Sequence, residues 1–157
     1  MTVSETNVSS DRMRSTRRAG YFVSMLLNAA MIVVAWNILD WGWLPFLTED
    51  LALVVPWISL SLAATIVANL IYWTNDSPVI KSAGQVMVNF MSAYATYTML
   101  TVFPFDFAGH AFDWELVTRI VLVIAIVGAG IGALVEGLKL VSRLPARTIG
   151  PPRDSHA

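Results

Sequence analysis

The chain has no cysteine, only two histidines and few charges: 13% of its 157 residues are Asp, Glu, Lys or Arg. Each shortage closes off a class of function. Without cysteine there are no disulfides, thiolate nucleophiles, iron–sulfur clusters or cysteine-based zinc sites, and thiol oxidoreductase chemistry is excluded. His110 lies in a loop and His156 in a tail, so no histidine pair can clamp a haem within a bilayer. A soluble chain carries about a quarter charged residues. The deficit here, set against 56% hydrophobic residues, points to lipid as the solvent. The ten Lys and Arg are scattered at segment ends, which leaves no basic surface for nucleic acid.

What is present is long apolar runs. Crossing about 30 Å of hydrocarbon at 1.5 Å per residue takes roughly 20 residues. Four stretches meet that length, at 21–39, 51–73, 79–103 and 116–141. The third is the least apolar, since it carries Lys81, Gln85 and Asn89. Pro45, Pro78 and Pro104 fall in or beside the connections, and Ser77-Pro78 reads as an N-cap with proline in the first helical turn. Pro56 sits early in the second run. The reading is an all-α, integral membrane protein: an up-down-up-down antiparallel bundle of four transmembrane helices with short loops. Residues 1–19 and 143–157 are expected to be unstructured tails around a transmembrane domain at 20–142. No internal repeat is evident.

Charge sets the expected orientation. Arg12, Arg14, Arg17 and Arg18 precede the first run, Lys81 opens the third, and Lys139, Arg143, Arg147 and Arg153 close the fourth. The opposite loops hold Asp40, Glu49, Asp50, Asp106, Asp113 and Glu115, with Arg119 as their one cation. Both tails are therefore expected in the cytoplasm of a plasma membrane. Arg17-Arg18 before an apolar run resembles the start of an export signal, but the run is too long and no small-residue cleavage site closes it, so an uncleaved anchor is expected.

The third run carries the most informative pattern. Lys81, Gln85, Asn89, Ser92 and Thr96 fall within a wedge of roughly 80° on one helical face. Such a face must meet other helices, water or another subunit, because an unpaired polar group in hydrocarbon costs several kcal/mol. On the fourth run Ala125, Gly128, Gly132 and Glu136 form a second face, where small residues allow close helix packing. Glu136 is the one acid well inside a span, and an ion pair with Lys81 is expected, with Lys139 as the alternative partner. Asn28 on the first run and Asn69 on the second lie at depths that would join them to Lys81, Gln85, Asn89 and Glu136 in two polar layers, with Ser61 and Thr65 lining the second run above Asn69.

The outer loops are aromatic and acidic. Trp41, Trp43, Phe46, Phe105, Phe107, Phe112 and Trp114 read as an interfacial belt. Asp106, His110, Asp113 and Glu115 are ligand types for a divalent cation, but no ligand spacing supports a site. Arg119 is expected to pair with Asp40, Asp106 or Glu115. No hydroxyl stands beside a base as a nucleophile would require, so neither an enzyme nor a cofactor is implied. The expected function is an accessory or interaction protein of a membrane complex, bound to lipid and to its own kind or another membrane protein. The alternative is a small oligomeric exporter using Glu136 and the polar face of the third helix.

Overall fold

The computed structural model describes residues 3–75, 77–109 and 111–143, with side chains from Thr16 onward. His110 and the C-terminal tail from 144 lie outside the described residues. The protein is all-α, with α1 at Val3–Trp41, α2 at Leu51–Thr74, α3 at Pro78–Val102 and α4 at Trp114–Arg143. Helices α2 to α4 coincide with the apolar runs almost to the residue. Helix α1 carries back through positions whose composition suggests an unstructured tail. No proline interrupts it and its first glycine is Gly20, so nothing local stops the helix.

Between α2 and α3 the Ser77 N–H donates to Asn75 Oδ1 at 3.1 Å, as asparagine side chains do to the backbone two residues on. Ser77 is extended (ψ 133°) and its carbonyl accepts the Lys81 N–H at 3.0 Å, so it caps α3 through its backbone, with Pro78 in the first turn. Phe103 ends α3 in the left-handed region (φ 48°), and the buried Pro104 prevents continuation. The two longer loops meet at one end of the molecule. Thr48 N–H donates to the Pro104 carbonyl at 3.1 Å and Asp106 N–H to the Phe46 carbonyl at 2.8 Å.

Cross-contacts tie each helix to its neighbour in the chain. Trp36 Nε1 donates to Ser59 Oγ at 2.9 Å and Asn69 Nδ2 to Ser24 Oγ at 3.1 Å, joining opposite ends of α1 and α2. The Trp57 and Tyr94 rings meet edge-on at 4.7 Å between α2 and α3. Arg119 of α4 lies over the Phe103 ring at 3.9 Å. Helix backbones pack closely only on their chain neighbours: among the described residues that of α1 comes close to neither α3 nor α4, and that of α2 not to α4. The arrangement is compatible with a helical bundle, but it forms an open row.

Burial follows from that openness. The core is a small cluster of Leu51, Val54 and Val55 near the looped end, packed by Ile38, Leu39 and Met99 among others. No residue of α4 is buried. Helices α1, α2 and α4 contain segments long and apolar enough to cross a membrane, at Thr16–Trp41, Leu51–Thr74 and Trp114–Arg143; α3 does not reach that hydropathy.

Candidate functional site

Two faces of the row differ in chemistry, and α3 shows both. Met87, Phe90, Tyr94 and Tyr97 are exposed on one side. On the other, Ser92 and Thr96 floor an open cavity of about 250 Å³, walled by Ile58, Ser61 and Leu62 of α2 and by Leu122 of α4. Thr96 satisfies its hydroxyl on the Ser92 carbonyl (2.8 Å), and Thr65 does likewise on that of Ser61 (3.1 Å). Gln85 Nε2 donates to Asn89 Oδ1 at 3.1 Å along the same stripe.

Gly132 of α4 sits directly against Asn89: a Cβ there would lie 2.8 Å from Asn89 Nδ2. This is the close approach that small residues permit. Gly128, one turn earlier, has nothing within 4 Å. The two glycines named together from the sequence thus divide, one packed inside the chain and the other opening outward.

Nearer the start of α3 a denser network ties it to α4. Ser82 is 1% exposed. Its hydroxyl donates to Glu136 Oε2 at 2.9 Å and accepts from Arg143 Nη1 at 2.6 Å. Arg143 also donates to the Pro78 carbonyl at 2.8 Å. Glu136 Oε1 accepts from Lys139 Nζ at 2.6 Å. The ion pair of Glu136 is therefore with Lys139, not Lys81. Helical phase explains the correction. Lys81 precedes Ser82 by about 100° around α3, so Ser82 faces Glu136 while Lys81 turns over the Tyr21 ring, 5.6 Å from its centroid.

The asparagines of α1 and α2 form a separate pair. Asn28 donates back to the Ser24 carbonyl at 2.7 Å, and Asn69 donates to Ser24 Oγ and to the Thr65 carbonyl at 2.8 Å. Of the six polar residues expected together, Asn28 and Asn69 gather at α1–α2, while Gln85, Asn89 and Glu136 line α3–α4. Tyr72 bridges the halves: its ring lies 5.9 Å from that of Tyr21, and its hydroxyl donates to the Lys81 carbonyl at 3.1 Å and presses on Gly84. Ser24, Tyr72 and Ser82 escaped the sequence reading, which took Arg143 only as an orienting charge. Ser82 stands seven residues before Asn89, so heptad spacing was the signal that could have found it. Interhelical hydrogen bonds of this kind average about 0.6 kcal/mol in membranes, so Asn69→Val is expected to shift thermal stability in detergent by only about 1–3 °C. A fall several times larger would show that the Ser24–Asn69 bond fastens α1 to the rest.

At the looped end, Arg119 Nη2 pairs with Glu115 at 3.0 Å, the last of its three expected partners. Asp113 Oδ1 accepts the Leu116 N–H at 2.9 Å, and Asp106 Oδ1 that of Ala108 at 2.8 Å. These carboxylates serve the helix start and the loop, and among the described residues no three potential metal ligands cluster. Phe46 and Phe107 stack at 5.6 Å, and Phe105 and Phe107 at 5.9 Å. No protein-family model, curated protein or solved structure matches the chain, which leaves its own polar residues as the guide to what it does.

Proposed function

We propose that this chain is a four-span protein of the plasma membrane, with both tails cytoplasmic, acting as an accessory or interaction subunit of a membrane complex. The observation that carries this reading is the polar face of α3, which the chain's own helices leave open. A protein that worked alone in lipid would close its helices over such a face. The 25 residues of α3 extend about 37 Å, enough for about 30 Å of hydrocarbon. Its hydroxyls lower the cost of crossing by bonding their own backbone, as Thr98 does to Tyr94 and Thr101 to Tyr97. The arginines that precede the apolar run of α1 and the cations closing α4 favour the cytoplasm for both ends.

The exporter reading gains nothing from the geometry, because both oxygens of Glu136 are held, one by Lys139 and one by Ser82. The test pairs topology with capture. Reporter fusions at both termini are expected to report the cytoplasm; tails on opposite sides would remove the third crossing and the proposal with it. Affinity capture at native expression in several mild detergents is expected to bring down a stable assembly, and recovery of monomer alone in all of them would overturn the interaction role.

A further inference from the structure

We infer that the open face of α3 and α4 is covered by the same face of a second copy of this chain, in a two-fold symmetric dimer. The inference rests on the interaction reading above and names its partner. The surface is defined by Gln85, Ser92 and Thr96 on α3, and by Ala125 and Gly128 on α4. Gln85, Ala125 and Gly128 are exposed, and Ser92 and Thr96 are half-buried at the groove floor. Helical phase puts the two sets on one side of the row. Gly132 meets Asn89 at the border of the stripe, and Gly128 lies about 40° from Gly132 on α4.

Three properties of this face fit a second copy. The first is hydrogen-bond complementarity. A carboxamide carries donors and an acceptor, and a hydroxyl carries both, so each is its own complement across a two-fold axis. With that axis along the membrane normal, residues of equal depth meet, and amide faces amide. Gln85 spends one N–H on Asn89 Oδ1, and among the described residues neither Gln85 Oε1 nor the Asn89 side-chain amide N–H groups make a further hydrogen bond. The second property is charge. Between Gln85 and Thr96 the stripe has no ionisable residue, so pairing like faces brings no like charges together in the hydrocarbon. The third is space. A helix approaching beside α4 meets Gly128, around which 4 Å is clear, next to a cavity of about 250 Å³. The opposite side of α3, with Phe90, Tyr94 and Tyr97, is apolar and aromatic and asks nothing beyond lipid.

The absence of cysteine makes the test direct. Ser92→Cys and Phe90→Cys place single thiols on opposite sides of α3. In vesicles of phosphatidylethanolamine and phosphatidylglycerol holding the full chain at high lipid excess, oxidation is expected to give at least several-fold more covalent dimer from Ser92→Cys. A second variant removes the dimer without touching the monomer. A Cβ at Gly128 has nothing within 4 Å in its own chain, so with Gly128→Leu monomer stability is expected to hold while the Ser92→Cys dimer is lost. Gly130→Leu, equally unobstructed but on the other side of α4, is expected to keep it. Equal cross-linking on both sides, none on either, or a dimer indifferent to Gly128→Leu would overturn the inference. In native membranes, a Ser92→Cys adduct to a different protein would overturn it too, while sparing the interaction role. Tails on opposite sides of the bilayer would instead bring down the four-span reading itself.

Discussion

Gly84→Ala is expected to lower thermal stability in detergent by about 2–12 °C, the equivalent of about 1–3 kcal/mol for overpacking in a chain of this size. Gly84 is partly exposed and has no unusual backbone angle, so neither burial nor conformation flags it. The cause lies across the α2–α3 contact. A Cβ on Gly84 would run into the Tyr72 hydroxyl and lie 3.0 Å from its Cζ. That ring cannot swing away cheaply, being 8% exposed, packed on Tyr21 and hydrogen-bonded to the Lys81 carbonyl. Tyr72→Phe alone is expected to cost about 1 kcal/mol for the lost hydrogen bond. Adding Gly84→Ala to it is expected to cost distinctly less than in the parent, since the atom that clashes first is gone. A double-mutant cycle reads this directly: coupling of about 0.5–3 kcal/mol supports the contact, and strict additivity would show that Tyr72 and Gly84 do not press on one another.

The same pair shows where sequence reading stops. The limits of α2, α3 and α4 were legible because hydropathy and proline mark them, and Ser77-Pro78 marks the start of α3 in its own residues. The polar wedge of α3 was legible because 100° per residue is a property of one helix. What lies opposite a wedge is a property of two. Taking Lys81 as the partner of Glu136 used depth, which the sequence supplies, but also needed the phase of α3 about α4, which it does not. A shift of one residue gives the contact to Ser82 instead. Gly84 was passed over for the same reason, since nothing along α3 announces a tyrosine on α2. The open row was equally hidden. Short loops dictate that neighbours lie side by side, but whether α1 returns to α4 depends on small packing angles summed over three interfaces. The division between Gly128 and Gly132 follows from that openness, because an outward glycine exists only where the row leaves a side uncovered.

Ser82→Ala is the second large loss expected, about 1.5–3 kcal/mol, the range for hydrogen bonds to charged groups. One buried hydroxyl serves both charges: it donates to Glu136 and accepts from Arg143, which itself reaches the Pro78 carbonyl at the start of α3. Removing it leaves both charged partners without their link at the packed interface, while alanine adds only a small cavity. Glu136→Gln behaves differently. Glutamine keeps an acceptor for Ser82 and loses only the ionic half of the contact to Lys139, which is about half exposed and three residues away on the same helix. Such exposed pairs contribute little. Glu136→Gln is therefore expected to unfold at a temperature closer to the parent than Ser82→Ala does. If the order reverses, the Glu136–Lys139 pair is what fastens this end of α4. If Glu136→Gln keeps full stability yet abolishes proton-coupled movement of a substrate, the carboxylate works as a carrier and the exporter reading displaces the structural one. The expected order places the chain's most conspicuous acid in the service of a serine, with the helix-to-helix contact depending on a hydroxyl that carries no charge.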